Sequence, residues 1–293
     1  MTVFTLRNLI ELSYNSLSYA ALLFLLASGL SIIFGVMRIV NLAHAAFFLL
    51  GGYVALTVYR VLGTALWTLP VAMVVGGSVV AGVAVVIERF FLRRLGQDMT
   101  AQVLVTIGFA FIFFDTNILI WTGDNYMLHR PWPLDDSTVI GGIAFPRYRA
   151  FMIVAAVVVW AILYFVIERT RAGAIVRATV DDPQMARGIG INTNLVQMSI
   201  YGLGVFLSAM GGVVGGAFLG VSPGLDFLIL PYAFAVVIIG GLGSLTGAVV
   251  GSIVVGFMEN FGTALFPELS YFALFAPMAI ILAVKPTGLF GRS

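Results

Sequence analysis

Long uncharged stretches, separated by short charged ones, set the pattern of this chain. Apolar runs cover 12–37, 39–59, 61–87, 99–114, 150–167, 188–225, 227–258 and 269–284. A helix needs about 20 apolar residues to cross the roughly 30 Å hydrocarbon layer, so each run is read as membrane-crossing helix. The run 227–258 is too long for one crossing, at about 48 Å of helix. Its glycines Gly240, Gly241, Gly243 and Gly247 predict a break into two short spans or a re-entrant pair, because irregular backbone is tolerated where protein lines a cavity. The expectation is an all-α, polytopic transmembrane helix bundle with nine crossing segments, or eight if 227–258 crosses once. Residues 46–52 and 235–241 each run from alanine through apolar residues to paired glycines, an echo of the kind that internal transporter repeats leave.

The charges between the runs set the orientation. Arg89, Arg93 and Arg94 lie between the third and fourth runs, and Arg169, Arg171, Arg177 and Arg187 between the fifth and sixth. Arginine-rich short loops stay in the cytoplasm, and two spans separate these loops, so both fall on one side. The N-terminus is then outside, the loop 121–149 external, and Lys285 and Arg292 inside for nine crossings. Trp121, Tyr126, Trp132 and Tyr148 in the external loop suit the membrane interface. Composition agrees: 61% of residues are hydrophobic and 10% charged, against about 25% charged in soluble domains. No stretch is polar enough to cover a soluble domain, so 1–293 reads as a single transmembrane domain. The first ten residues lack the basic start and cleavage pattern of a removable signal peptide. With no cysteine, two histidines and a net charge of +2, the chain offers no disulfide framework, no likeness to a metal cage and no nucleic-acid footprint.

The segment 168–192 is unusual for a cytoplasmic loop. It alternates small apolar residues with charge, through Arg171, Ala172, Gly173, Arg177, Ala178, Asp181, Asp182, Ala186, Gly188 and Ile189. Residues 173–180 suit a short helix, the Asp181-Asp182-Pro183 sequence stops it, and Pro183 suits the first turn of a second helix. Such a helix–turn–helix fits a groove on another protein; the alternative is a basic helix lying on anionic headgroups.

This segment resembles the coupling loop of branched-chain amino acid importer permeases of the LivH type. Three further stretches resemble that family in the same order: 29–44 around Arg38-Ile39-Val40-Asn41-Leu42-Ala43-His44, then Thr106-Ile107-Gly108, then 239–248 around Gly240-Gly241-Leu242-Gly243-Ser244. Together they span nearly the whole chain, although Ala45 and Ala46 depart from the family's pattern. The resemblance implies the permease fold of an ABC importer in the bacterial inner membrane. It also implies partners: two ATP-binding cassette subunits that use ATP and Mg, a second permease subunit of the LivM type, and a periplasmic solute-binding protein, with membrane lipid around them. The resemblance places ATPase coupling at 168–192. In accord with it, the chain contains no phosphate-binding loop of the Gly-x-x-x-x-Gly-Lys-Ser/Thr kind, and no cofactor is expected on the chain itself.

Candidate path residues are those whose polarity is costly at membrane depth. Asn41 and His44 share a face if helical, either lining a path or capping the second helix with Asn41 as N-cap. Asp115 is the acid read as lying within a span, near its wet end. It would meet a substrate amine, or pair with an arginine of another subunit. Thr106 and Gly108 suit close helix packing. Gly240, Gly241, Gly243 and Ser244 either pack helices tightly or expose backbone to a path. The external Asp124, His129, Arg130, Asp135, Asp136, Arg147 and Arg149 suit docking of a soluble binding protein, or solvated loop charge.

Two other functions compete. A stand-alone ion-coupled carrier or channel needs buried ionisable groups, for which the sequence offers Asp115. A membrane enzyme needs a catalytic cluster at one depth, and the sequence has none. Few charges in the spans suit a net-neutral solute such as an amino acid, a short amide or urea, with aromatic acids also open.

Overall fold

A computed structural model of the protein describes residues 5–96 and 98–291. In chain order it contains α1 (Leu6–Met37), α2 (His44–Leu62), α3 (Thr68–Ile87), a π turn (Glu88–Leu92), α4 (Arg93–Leu95) and α5 (Met99–Trp121). A hairpin of β1 (Ser137–Ile140) and β2 (Ile143–Pro146) follows, then α6 (Arg147–Arg169), α7 (Arg171–Asp181), α8 (Pro183–Gly188) and α9 (Thr193–Gly216). The chain ends with α10 (Leu225–Gly240), α11 (Leu245–Leu265), a 3₁₀ turn (Pro267–Leu269) and α12 (Ser270–Val284). Among the described residues, seven helical segments are long and apolar enough to cross a membrane, and α10 is a shorter apolar helix. The protein is a multi-pass helical membrane bundle, as the run pattern predicts. The hairpin is the exception to an all-α reading; its two-residue turn falls on Gly141 and Gly142, both with positive φ, which glycine adopts freely.

Contacts between distant residues sort the helix ends onto two sides. On one, the Tyr14 hydroxyl donates to the Pro146 carbonyl at 2.8 Å, Leu128 N–H donates to Gly216 at 3.1 Å, and Arg60 lies over the Tyr126 ring. On the other, Arg93 donates to the Asn194 carbonyl at 3.3 Å and Phe290 N–H to Gly240 at 2.9 Å. This alternation agrees with nine crossings whose first and last ends lie on opposite sides, with 121–149 on the side of the α1 start. Lys285 falls on the side of the α10–α11 turn; Arg292 lies outside the described residues. The long run 227–258 divides at 241–244, where Gly241 and Gly243 have positive φ. The echo fails as a repeat: 46–52 lies in the first turns of α2, whereas 235–241 covers the end of α10.

The centre of the bundle is α1 against α9. In both helices 78% of the most apolar window is buried, against 22% in α5 and 17% in α6, so α1 and α9 are core helices and α6 turns Val154, Val157, Ile162 and Phe165 outward. A helix that is apolar all round must be buried or face lipid. Small residues let the backbones meet: a Cβ at Gly29 would strike the backbone of Gly204, and one at Gly212 the carbonyl of Phe48. In a membrane such close approach supplies van der Waals contact that the hydrophobic effect cannot.

Candidate functional site

Four helices converge where α1 hands over to α2. α1 ends at Arg38, in left-handed conformation, with its N–H bonded to the Phe34 carbonyl at 2.9 Å. The linker that follows is pinned by polar side chains. Asn41 Oδ1 accepts the Ala43 N–H at 3.1 Å, and Asn41 Nδ2 donates to the Tyr201 hydroxyl of α9 at 3.1 Å. Leu42 N–H donates to Thr106 Oγ1 of α5 at 3.2 Å. His44 Nε2 lies 2.9 Å from the Leu26 carbonyl, and a carbonyl only accepts, so the proton sits on Nε2 and Nδ1 is a buried acceptor with no partner. The His44 carbonyl takes the Ser208 hydroxyl at 2.9 Å.

Asn41, His44, Thr106 and Ser208 are all buried, and the expectation for two of them changes. Asn41 lies before the helix rather than on it, so it shares no helical face with His44. The N-cap of α2 is Ala43, and Asn41 acts one step earlier by bonding Ala43 N–H. The hydroxyl of Ser208 lies fifteen residues along α9 from Thr193, about 22 Å at 1.5 Å per residue, so α2 opens near mid-depth. A helix that starts there aims its positive dipole end at the interior, where it favours an anionic group such as a carboxylate.

The second irregular turn, 241–244, lies beside the lower half of α1. Ser31 Oγ donates to the Ser244 carbonyl at 3.2 Å, a Cβ at Gly35 would come within 2.8 Å of Gly243 Cα, and Ser244 Oγ caps α11 by accepting Gly247 N–H at 3.0 Å. Gly240 packs on Gly247 and Gly241 on Gly291. Close packing therefore accounts for Gly240, Gly241 and, against Gly35, Gly243, although Gly243 and Leu242 also have exposed surface. Gly108 is exposed as well, with open space where a Cβ would stand, so it makes no close helix contact within this chain.

Asp115 lies on the exposed face of α5, with Phe111, Ile112 and Leu119. Six residues of α5 follow it, so it sits about 9 Å inside the helix end rather than at it. The reading of Asp115 as the acid of the spans missed Asp226, which occupies the single position between the runs 188–225 and 227–258. Asp226 is buried in the first turn of α10. Its Oδ1 has no partner, and neither has the buried hydroxyl of Tyr53 or Asn117 Oδ1. Tyr53 stacks on Trp121 with centroids 5.1 Å apart. Tyr201 and Ser208 were missed because marking runs by absence of charge passes over hydroxyls. Tyr148, at the start of α6, is buried rather than exposed at the loop surface, and its hydroxyl donates to the Val214 carbonyl at 2.7 Å. Arg130 bonds the Ala217 carbonyl at 2.9 Å, Arg149 covers Phe218 and Arg147 reaches Thr138 at 3.1 Å, while His129, Asp135 and Asp136 are exposed.

On the side of the arginine-rich loops, 168–192 forms the expected helix–turn–helix. Asp182 caps α8, its Oδ1 accepting the N–H groups of Gln184 and Met185, both at 2.9 Å, and Pro183 takes the first position, where no N–H is needed. Gly173 must be glycine, because a Cβ would strike the Ile167 carbonyl. Arg177 folds back onto that same carbonyl and lies 3.8 Å from Glu168, so it anchors α7 to α6. Ala186 is buried, Ala178 half-buried, and Arg171, Ala172, Asp181, Asp182, Gly188 and Ile189 are exposed. Met185 on α8 and Ile189 just past its end are 65% and 70% exposed, apolar side chains without cover.

Residues 13–283 match the family model described as the permease component of branched-chain amino acid transport systems. The chain belongs to that family. It is 28% identical to the high-affinity branched-chain amino acid permease protein BraD of Pseudomonas aeruginosa over 95% of this chain and 94% of BraD. It is 27% identical to LivH of Escherichia coli strain K12, again over 95% of this chain and 94% of the relative. Similarity extends to the ribose import permease RbsC of the same organism, 24% identical over 95% of this chain and 84% of RbsC. No solved structure matches. The chain is a transport permease subunit, not an enzyme, and this accounts for a bundle whose polar groups hold irregular turns at depth instead of forming a catalytic cluster.

Proposed function

We propose that this permease imports branched-chain or other amino acids, or similar small polar metabolites such as amides, urea or aromatic acids, across a bacterial inner membrane. It does so with two ATP-binding subunits, a second permease and a periplasmic binding protein. The observation that carries the ATP-driven reading is α7–α8, a capped helix pair on the arginine-rich side that presents Met185 and Ile189 uncovered. Apolar side chains so placed suit a groove on a soluble partner. Asp115 supports the second permease: a carboxylate about 9 Å inside a span carries part of the cost of an acid in hydrocarbon, so the α5 face fits a partner subunit or a wet path better than lipid. The opening of α2 at mid-depth fits a solute carboxylate, and the exposed His129, Asp135 and Asp136 suit the binding protein.

A second reading, ion coupling without ATP, is favoured by Asp226, a buried acid with a free oxygen atom of the kind proton-driven carriers use. One experiment separates the two. The protein is purified gently from its host, its companions are identified, and labelled leucine uptake is measured in vesicles for wild type and Met185→Asp. ATP-binding subunits that accompany the wild type and are lost from Met185→Asp support the importer. Uptake without ATP that survives Met185→Asp and fails in Asp226→Asn refutes it.

A further inference from the structure

The sequence places Glu88 and Arg93 in an ordinary cytoplasmic loop, yet the structure buries Glu88 to 1% exposure and closes a two-pronged ion pair on it. Arg93 Nε lies 3.2 Å from Glu88 Oε1, and Arg93 Nη2 lies 3.0 Å from Oε2. Residues five apart on an α-helix point about 140° away from each other at 3.6 residues per turn, so a regular continuation of α3 would separate these two side chains. The π turn Glu88–Leu92, with Arg93 N–H bonded to the Glu88 carbonyl, brings the fifth residue back over the first. Such wide turns recur at functional positions in helices. Here the wide turn makes the pair possible.

The pair also stands at a junction. The same Arg93 Nη2 donates to the carbonyl of Asn194 at 3.3 Å, in the first turn of α9. The preceding residue, Thr193, accepts Arg187 Nε of α8 at 2.8 Å. One turn before Glu88, Val85 packs on Gly202, where a Cβ would come within 3.0 Å. Beside Gly202 is Tyr201, whose hydroxyl accepts from Asn41 Nδ2 at 3.1 Å. From α8 to Glu88 the polar contacts run from Arg187 to Thr193, Asn194 to Arg93 and Arg93 to Glu88, and α9, which begins with Thr193 and Asn194, carries at Tyr201 the bond to Asn41 in the linker before α2.

We propose that the Glu88–Arg93 pair is a positioning latch that transmits displacement of α7–α8 to the linker 38–43 and so couples ATP use to solute movement. It rests on the importer reading above. Neither residue touches solute or nucleotide; each acts by fixing the start of α9 against α3.

The test uses the complete transporter in vesicles, with its ATP-binding subunits and loaded binding protein, and reads solute moved per ATP hydrolysed together with yield and thermal stability. Removing one partner of a buried pair strands a charge, whereas replacing both with apolar residues of similar size often leaves stability intact. The informative variant is therefore Glu88→Leu/Arg93→Leu, with Arg93→Lys as the conservative companion and exposed Arg94→Gln as control. A latch predicts that the double variant assembles at wild-type yield and stability, continues to hydrolyse ATP, and moves about five-fold less solute per ATP or worse, the lower end of typical coupling. Arg93→Lys, which keeps charge but loses the fork, falls between, and Arg94→Gln matches wild type. Wild-type solute per ATP in a stable double variant overturns the latch, and so does a loss in both single and double variants that only tracks lost yield. If wild-type protein carries no ATP-binding subunits at all, the importer reading has failed instead.

Discussion

His44 shows what a single residue can and cannot reveal. Its polarity within an apolar run marked it as exceptional, but the partners that define it, the carbonyl of Leu26 and the hydroxyl of Ser208, come from helices eighteen residues before and 164 residues after it, beyond any local pattern. Asn41 was legible as a pinning residue, yet its partner Tyr201 was not, because tyrosine within an apolar run looks like core. Tyr201→Phe would leave Asn41 Nδ2 without its acceptor, and we expect a loss of about 1–3 kcal/mol, read as lowered thermal stability in detergent. Glycine was the least readable residue type. Gly212 and Gly108 are equivalent in the sequence, but a Cβ at Gly212 strikes the Phe48 carbonyl and one at Gly108 meets open space. Gly212→Ala should cost about 1–3 kcal/mol through overpacking. Gly108→Ala should be neutral or gain about 0.5–1 kcal/mol in the isolated chain from helix propensity. The same unfolding assay checks both, and equal effects would contradict the packing described for α2 and α9.

At the scale of elements, the apolar runs gave the helices well where turn chemistry was explicit. The Asp182-Pro183 boundary was read from capping rules and the structure places a cap there. The break in 227–258 was read from helix length and glycines. The run 188–225 misled, since apolar composition continued through the loop 217–224 that separates α9 from α10, and the mid-depth opening of α2 left no signal beyond Asn41. The π turn after α3 was also invisible, because the Glu88–Arg93 pair that accompanies it joins residues the α-helical period does not bring together. Asp182→Ala should cost about 1 kcal/mol at the α8 N-terminus. We expect circular dichroism of the whole chain to change little, while ATPase stimulation by loaded binding protein drops, because α8 carries Met185 and positions Ile189 at its end. Unchanged stimulation would separate α8 from coupling.

For the whole molecule, the contacts that sort helix ends put the two arginine-rich loops on one side, as the sequence reading requires, and the divided run agrees with nine crossings. The chain has no cysteine, so single introduced cysteines report sidedness without background. With a membrane-impermeant maleimide, His129→Cys should label from outside, and Arg171→Cys and Lys285→Cys only after the inner face is opened. Labelling of Lys285→Cys from outside would mean eight crossings. What no single-chain pattern contained is the assembly: Asp115 on an exposed span face and Met185 on an uncovered helix both point away from this chain toward other subunits.

The central claim is that this permease moves its solute by energy received through α7–α8. The most direct measurement is accumulation of labelled leucine in sealed vesicles holding the complete complex and loaded binding protein, with and without ATP, in wild type and Met185→Asp. The account predicts accumulation above the external concentration only with ATP, and its loss in Met185→Asp while the protein keeps its wild-type stability. Accumulation that ignores ATP and follows an imposed proton gradient in both would contradict it and turn attention to Asp226.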